Sequence, residues 1–311
     1  NITKYNIYTE SSKKLYLPKY YGLTKFGKPD VYKLNEGKDI DIKFNGELRE
    51  NQLKPVEKFL ESARDPNKMG GLINLGCAAG KTVISLNIIS QLGKKTLVVV
   101  HKDFLLKQWK ERIEQFLPDA RVGLIKAKVI DIEDKDIVMA SLQSLSMKEY
   151  DKGTFDEFGL LVCDEVHNFA AEVFSRALFK TNFKYSLGLS ATITRKDGLS
   201  KVFKWHLGDI VYKSRQKRVD NVDIICYEYF VQDDKYSKEE LLFNGKPNMA
   251  RMINNICEYE PRMDKLVSII KKIKKCEKNR NIIILSDRRN HLKEKKNKLD
   301  SKEIGNVGYY V

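Results

Sequence analysis

Several residue types that define whole classes of protein are scarce in this 311-residue chain. Its five cysteines are scattered and form no C-x-x-C pair, which favours a reduced intracellular protein over a disulfide scaffold. Its four histidines include no H-x-x-x-H pair, so zinc ligation by His167 has little support. No apolar run approaches the roughly 18 residues that a membrane span requires, and we therefore expect no membrane partner.

The start of the chain also lacks a secretory signal, because no charged segment followed by an apolar stretch is present. The first residue is Asn1 and not Met, so we expect the chain to begin inside a longer protein. Neither an internal repeat nor a nuclease-like carboxylate cluster is visible. The length leaves room for two or three modest domains, each with its own core.

Positive charge is abundant, with a formal net charge of +15. Residues 262–303 alone hold 15 Lys/Arg against 6 Asp/Glu. A surface that grips a phosphate backbone needs such an excess. A lysine-rich composition inherited from an AT-rich genome explains it equally well, so charge by itself indicates affinity for polyanions and no particular activity.

The sequence GCAAGKT at residues 76–82 follows an apolar run at 71–75 and precedes a helical pattern at 82–92. Such a loop aims backbone N–H groups and a helix N-terminus at phosphates, while Lys81 reaches them and the Thr82 hydroxyl ligates Mg²⁺. The usual G-x-x-x-x-G-K-[ST] pattern has a glycine where this chain has Leu75. The alternative is a simple turn at a helix start. The predicted phosphate-binding residues are Gly76, Cys77, Ala78, Ala79, Gly80, Lys81 and Thr82.

A second motif, DEVH at residues 164–167, ends the apolar run FGLLVC at 158–163. Open α/β sheets bind ligands at the carboxyl ends of their strands, where this motif would lie. Asp164 can hold Mg²⁺ through water, and Glu165 can polarise the attacking water. The alternative is a solvated strand end. The tripeptide SAT follows at residues 190–192.

These motifs, in this order, resemble those of superfamily 2 helicases of the DExH type. Other segments match the family pattern from about residue 48 to the end of the chain. They are LRENQ at 48–52, VVVHK at 98–102 with Gln108 and Trp109, IVMASLQSL at 137–145, LGLSAT at 187–192 and IIILSDRRNHL at 282–292.

Within the superfamily, the chain is most similar to the XPB-like branch, which includes poxvirus transcript-release helicases and phage repair helicases. DEVH itself, HKDFLLKQW at 101–109, LGLSATITRKDG at 187–198 and LYLPKYYGLTKFG at 15–27 carry this likeness. Ala78 departs from the glycine that many relatives have. Residues 195–197 only partly match the Arg-Glu-Asp element of XPB proper, which favours a viral or phage relative.

The resemblance implies roles for particular residues. Gln52 would read the adenine with support from Arg49, and Thr82 with Asp164 would hold Mg²⁺. Lys81, Asp164, Glu165 and His167 would be catalytic. The residues that would couple hydrolysis to strand binding are His167, Ser190, Ala191 and Thr192. The residues that would contact nucleic acid are His101, Lys102, Gln108, Ser141, Gln143, Ser144 and Arg288.

The implied fold is α/β: a RecA-like parallel sheet flanked by helices, the first lobe of a P-loop NTPase. We predict an accessory module with strands at residues 1–44, lobe 1 at 45–212, and a hinge with a partial second RecA-like lobe at 213–311. The predicted strands of lobe 1 are 72–75, Thr96–Val100, 136–141, 160–164 and Tyr185–Ser190. Strands are also predicted at 222–231 and 281–285, a loop at 233–249 and a helix at 262–276. Trp109 is interpreted as a core residue in preference to a base-stacking platform.

The implied cofactors are ATP and Mg²⁺, and the implied partner is nucleic acid, DNA in preference to RNA, as a duplex or strand junction. Transcription machinery is a candidate partner, and the host cytoplasm or a virion is the candidate location for a viral protein.

No arginine motif follows residue 292, so we expect this piece to bind nucleotide and hydrolyse it poorly. Two alternatives remain open: a binding module with weak motor activity, and a P-loop ATPase independent of nucleic acid.

Overall fold

The computed structural model describes residues 6–76, 78–192, 199–214, 225–277, 280–301 and 307–309. The chain divides into two compact units, Asn1–Arg218 and Val219–Val311. The predicted hinge at residues 213–218 lies mostly outside the described residues. Each unit is treated by itself below.

The described strands are β1 (Thr9–Glu10), β2 (Leu15–Tyr16), β3 (Gly70–Asn74), β4 (Thr96–Val100), β5 (Val122–Lys126), β6 (Val129–Asp131), β7 (Ile137–Ser141), β8 (Leu160–Cys163), β9 (Tyr185–Ser190) and β10 (Ile210–Lys213). The described α-helices are α1 (Lys19–Phe26), α2 (Glu50–Arg64), α3 (Lys81–Leu92), α4 (Asp103–Phe116), α5 (Leu142–Met147), α6 (Ala171–Leu178), α7 (Ser200–Leu207), α8 (Asp234–Ser237), α9 (Met249–Glu258), α10 (Glu260–Cys276) and α11 (Arg289–Asp300).

Eight strands of the first unit form one sheet in the order β10-β3-β9-β8-β4-β7-β5-β6. Every neighbouring pair is parallel except β5 with β6. Residues of β3, β4, β7 and β8 are buried throughout, as continuous apolar runs require when helices cover both faces of a sheet. The five strands predicted for lobe 1 are therefore confirmed, each to within two residues at either end.

Three strands of the sheet were not predicted. β5 alternates between buried and half-buried residues, β6 is exposed along its length, and β10 is half-buried or exposed. All three lie at or next to the edges of the sheet, where fewer apolar residues are needed. Their short segments therefore carry no continuous apolar run that a sequence pattern can detect.

Helices pack on both faces of the sheet and divide the core into two clusters. One cluster contains Phe59 of α2, Ile84 of α3 and Trp109 of α4. The other contains Leu145 of α5, Phe174 of α6 and Phe203 of α7. This arrangement is the RecA-like fold expected for the first lobe of a P-loop NTPase.

The N-terminal segment packs against the amino-end side of the sheet. The Tyr20 hydroxyl lies 2.9 Å from the Ser186 hydroxyl, and Lys19 Nζ donates to the Lys184 carbonyl at 2.7 Å. Tyr21 makes an edge contact with Trp205 of α7 at 5.2 Å between ring centroids. The two-stranded ribbon of β1 and β2 agrees with the strand content predicted for residues 1–44.

The second unit corrects two predicted strands. Among its described residues, 225–231 and 281–285 form no strand. Ile283 and Leu285 are 85% and 86% exposed, while Ile282 and Ile284 are half-buried, so one face of this segment is uncovered. An apolar segment needs neighbouring strands to supply hydrogen bonds, and the described part of this unit supplies none of them.

Helices dominate the second unit. The predicted helix at 262–276 is α10, whose buried residues are Met263 and Val267. The helix α9 was not predicted, although it is strongly amphipathic. The loop predicted at 233–249 contains the short helix α8 and an isolated antiparallel bridge between Leu241 and Pro247. Across the described residues of the chain, no helix combines the length and apolar character needed to span a bilayer.

Candidate nucleotide-binding site

Three sequence motifs meet at one edge of the sheet. The strands β3, β9 and β8 are consecutive neighbours, and each is parallel to the next. Their carboxyl ends therefore lie side by side. The loop after β3 carries GCAAGKT, β9 ends at Ser190 of SAT, and β8 is followed directly by Asp164 of DEVH.

The loop after β3 leads directly into helix α3, which begins at Lys81. Gly80 precedes the helix in the left-handed region, with φ of 79° and ψ of 36°. This conformation favours glycine, and a Cβ at Gly80 would also displace the Gln52 amide, whose Nε2 would lie 2.1 Å away. The N-terminus of α3 supplies backbone N–H groups and a positive dipole end, the elements of an anion site.

A cleft of about 740 Å³ opens above this loop. It is lined by the predicted residues Arg49, Gln52, Ala78, Gly80, Lys81, Thr82, Gln108, Asp164 and Glu165, together with Glu47, Val83, Leu105, Glu111, Arg112, Gln115 and Phe116. The structure thus brings the two principal motifs and the glutamine motif into one cavity. Cys77 lies outside the described residues.

Lys81 connects the two motifs directly. Its side chain is 9% exposed, and its Nζ lies 2.8 Å from Oε1 of Glu165. The same Nζ donates to the Leu75 carbonyl at 3.4 Å. A buried cation held by one carboxylate can interact strongly with phosphate, because its local environment screens charge poorly.

Asp164 is a buried carboxyl group at the floor of the cleft. Burial raises its pKa above the ordinary value, and the neighbouring Glu165 acts in the same direction. Three contacts oppose that rise: the hydrogen bond that Trp109 Nε1 donates to Oδ2, at 2.8 Å, the charge of Lys81, and a hydrogen bond from the Glu165 backbone N–H. A nearby cation in the cleft would further favour the ionised carboxylate.

Glu165 is held in an unusual conformation. Its φ of 51° and ψ of 50° are left-handed, a region that costs a non-glycine residue about 1 kcal/mol or more. Its Oε2 is buried and accepts no hydrogen bond from any described residue, although His167 Nδ1 lies 3.3 Å away. A buried acceptor of this kind fits a bound water in the cleft, the species that Glu165 was predicted to polarise.

His167 reaches the end of β9. Its Nδ1 lies 2.9 Å from the Ser190 hydroxyl, which in turn donates to the Thr192 carbonyl. Ser190 is buried, Ala191 is half-buried and Thr192 is exposed. These contacts join DEVH to SAT through side chains, as the predicted coupling role requires.

The side-chain amide of Gln52 is hydrogen-bonded to backbone groups. Its Oε1 accepts a hydrogen bond from the Arg49 backbone N–H at 2.9 Å, and its Nε2 donates to the Ala79 carbonyl at 3.3 Å. The amide therefore joins the start of α2 to the phosphate loop. Arg49 is exposed at the cleft. Recognition of adenine by these two residues stays a prediction.

The residues predicted to contact nucleic acid fall into different environments. Lys102 is exposed at the start of α4, and Gln143 donates weakly to the His101 carbonyl at 3.4 Å. Burial lowers the pKa of His101, with Lys102 and His167 contributing. Gln108, by contrast, faces the nucleotide cleft. Arg288 lies in the second unit, where its Nε donates to Asn254 Oδ1 at 2.8 Å.

The hydroxyls of Ser141 and Ser144 have internal partners. Ser141 caps helix α5 by accepting from the Ser144 backbone N–H at 3.2 Å, and the two hydroxyls are 2.8 Å apart. Ser144 Oγ also accepts from the Ala127 backbone N–H at 3.0 Å. Both serines are buried, so these hydroxyls hold the turn together, and contact of either serine with nucleic acid stays a prediction.

One face of α4 was missed as part of the site. Its cleft residues Gln108, Glu111, Arg112 and Gln115 recur at helical spacing, opposite the buried Leu106, Trp109 and Ile113. The buried position of Trp109 confirms its interpretation as a core residue. Its hydrogen bond to Asp164 was not predicted, since no local pattern links residues that are 55 positions apart.

The chain is similar in sequence to a known protein family and to several known proteins. Residues 45–195 match the family described as "Type III restriction enzyme, res subunit". The chain is 32% identical over 312 residues to "Putative ATP-dependent RNA helicase L396" of Acanthamoeba polyphaga mimivirus, an alignment that covers 98% of this chain and 59% of that protein. It is also 32% identical over 223 residues to "DNA 3'-5' translocase XPB2" of Sulfurisphaera tokodaii, covering 68% of this chain and 48% of that protein.

Among solved structures, the chain is similar to the UvsW helicase from bacteriophage T4. The identity is 19%, the alignment covers 58% of this chain and 64% of that chain, and the TM-score is 0.45. The chain spans 59% and 48% of the lengths of its mimivirus and Sulfurisphaera relatives.

Proposed function

Because the chain belongs to the superfamily 2 helicases, on the branch shared by viral helicases and XPB translocases, we propose that it is the ATP-binding part of a nucleic-acid-dependent motor. The motor translocates on DNA or unwinds it at the expense of ATP. One observation carries the proposal: Lys81 and Glu165 form an ion pair inside the cleft. Two residues further along the same motif, His167 contacts Ser190. Phosphate chemistry and strand coupling thus share adjacent residues.

The residues of the cleft fit ATP. The N-terminus of α3 and Lys81 supply positive groups for the phosphates, and Gly80 leaves room for close backbone approach. The buried Oε2 of Glu165 can accept a proton or a hydrogen bond from an attacking water. Thr82 and Asp164, both at the cleft, would hold Mg²⁺. When bound, Mg²⁺ neutralises developing charge on the phosphates.

Coupling to nucleic acid would run through His167. A change at Glu165 alters the surroundings of His167 Nδ1, which also lies 2.9 Å from the Ser190 hydroxyl. Ser190 then holds the Thr192 carbonyl at the exposed end of SAT. Hydrolysis and strand affinity become linked when these contacts differ between the two states of the cleft.

DNA is the proposed track, as a duplex or strand junction, because one relative is named a DNA translocase. The name of the mimivirus relative refers to RNA, so RNA is the competing track. Binding would depend mainly on phosphate contacts, for which the net charge of +15 is suited, with little sequence preference. We further propose a role in transcript release or repair, beside transcription machinery. An intracellular setting is supported by the four described cysteines, all of which are free thiols.

The test is ATP hydrolysis by the full-length protein, since the 311-residue piece alone is expected to hydrolyse ATP poorly. It is measured without polymer and with single-stranded DNA, duplex DNA or RNA, beside Lys81→Ala. We expect DNA to stimulate hydrolysis and Lys81→Ala to abolish it. Lys58→Ala is the matched control, because Lys58 pairs with Glu61 on the exposed face of α2 and should leave turnover unchanged. Hydrolysis that ignores every polymer would instead identify a metabolic P-loop ATPase. Polymer binding without turnover would identify a binding module.

A further inference from the structure

Trp109 stands out among the buried aromatic residues of the first unit. The chain has two tryptophans, Trp109 and Trp205, and only Trp109 is buried in the core, at 1% exposure. Its ring packs within the apolar cluster between the sheet and helices α2, α3 and α4. Its Nε1 leaves that cluster and donates to Asp164 Oδ2 at 2.8 Å.

Apolar packing alone does not require an indole at this position. A buried N–H is costly unless it has an acceptor, and leucine or phenylalanine would fill the same cluster without that need. The acceptor is a carboxylate that is itself 5% exposed and lines the nucleotide cleft. A hydrogen bond between two such groups fixes the orientation of the carboxylate more firmly than contact with water would.

We propose that Trp109 is a positioning residue, whose N–H holds one oxygen of Asp164 so that the carboxylate faces the Mg²⁺ of a bound magnesium nucleotide. The inference rests on the proposed function, since it assumes that Asp164 serves Mg²⁺. The neighbouring Gln108 lines the cleft while Trp109 reaches below it, so helix α4 forms both a wall and a support of the site. Partners of metal-binding groups commonly change metal affinity or activity by 10- to 100-fold when they are removed.

The test compares Trp109→Phe with Trp205→Phe. Phenylalanine keeps an aromatic ring and removes the N–H together with the five-membered ring. Trp205 undergoes the same change on α7, beside Tyr21 and outside the residues that line the cleft. Binding of a non-hydrolysable ATP analogue is measured by calorimetry, once with MgCl₂ and once with EDTA. We expect Trp109→Phe to weaken binding at least tenfold in MgCl₂ and less than threefold in EDTA. Trp205→Phe should leave both affinities unchanged.

A general disturbance of the cleft would weaken binding equally in the two buffers, and that result would overturn the proposal. The Trp205→Phe protein offers a second measurement that does not depend on how well Trp109→Phe folds. Its only remaining indole is Trp109, so its fluorescence reports the contact with Asp164. We expect the emission to change when the analogue binds with Mg²⁺ and to stay constant when it binds in EDTA. Equal emission in the two buffers would also overturn the proposal.

The same experiment separates this inference from the function on which it rests. If the unmodified protein binds the analogue no better in MgCl₂ than in EDTA, Asp164 does not serve Mg²⁺ and the proposed function itself fails. If the unmodified protein depends on Mg²⁺ and Trp109→Phe depends on it equally, only the positioning role of Trp109 fails.

Discussion

Lys81 and Glu165 face each other across the cleft, with Nζ 2.8 Å from Oε1. The pair joins the loop after β3 to the end of β8, two strands away in the sheet. Both side chains have low exposure, 9% and 22%, so the attraction is stronger than that of a surface ion pair. Phosphate must compete with Glu165 for Lys81, so this contact influences both nucleotide affinity and the position of the catalytic carboxylate.

Glu165→Gln should separate nucleotide binding from hydrolysis. The amide keeps the size of the side chain and removes the charge that competes with phosphate for Lys81. We expect ATP affinity to be unchanged or tighter, and hydrolysis to fall at least 100-fold because the base that polarises water is lost. Calorimetry and a phosphate-release assay measure the two quantities.

Glu172→Gln is the matched control for that change. Glu172 pairs with Arg176 on the exposed face of α6, so its substitution should alter neither quantity. Loss of ATP binding in Glu165→Gln would contradict the proposed competition between Glu165 and phosphate.

Gly80→Ala should damage the phosphate loop. Alanine is strained at a φ of 79°, and its Cβ would lie 2.1 Å from Gln52 Nε2. We expect the free energy of unfolding to fall by about 1–2 kcal/mol and ATP affinity to fall more than tenfold. Gly22→Ala on α1 is the control, since nothing lies within 4 Å of its added Cβ. It should leave affinity unchanged and stabilise by up to about 1 kcal/mol. Equal ATP affinity and equal stability of the two variants would contradict the constraint that we describe for Gly80.

Ser190→Ala should weaken the link between hydrolysis and nucleic acid. It removes the hydroxyl that contacts His167 and the Thr192 carbonyl. In the full-length protein, we expect the ratio of polymer-stimulated to basal hydrolysis to fall at least fivefold, which is the lower end of typical allosteric coupling. Ser186→Ala removes another buried hydroxyl from the opposite end of β9 and should leave the ratio unchanged. A similar fall in both variants would assign the effect to stability.

His206→Gln should reduce the sensitivity of the fold to mild acid. Burial lowers the pKa of His206 from its ordinary value of 6.5 to about 4, so the unfolded chain binds more protons between those values. This group therefore stabilises the fold fully above pH 6.5, and its contribution is lost as the pH falls toward 4. Between pH 7 and pH 5 the loss amounts to about 2 kcal/mol.

Urea unfolding of both proteins at pH 7 and pH 5 measures that difference. Glutamine keeps a polar group near the Ser175 hydroxyl, which lies 2.6 Å from His206 Nε2, and it does not titrate. The variant should lose about 2 kcal/mol less than the unmodified protein. Parallel losses would show that His206 contributes nothing to the acid sensitivity.

Local chemistry made the strands and the motif residues of the first unit predictable. Segments such as Thr96–Val100 and Leu160–Cys163 are mostly apolar runs, and a run of that length between polar turns has few alternatives to a buried strand. The edge strands β5, β6 and β10 escaped prediction because edge positions demand little burial. The strand predictions were wrong over the described residues 225–231 and 281–285 for the complementary reason, since an apolar run forms a strand only beside suitable neighbours.

Lysine after glycine at a helix start and paired acids after a strand are visible in the amino-acid order alone, because each chemistry needs those residue types close together. Long-range pairing decided the rest. The order of the strands sets Ser190 against His167 and Glu165 against Lys81, and no short segment encodes that order. Tertiary packing also decided that the hydroxyls of Ser141 and Ser144 point inward. The bond from Trp109 to Asp164 exists only because α4 packs beneath the end of β8, which depends on the packing of the entire face.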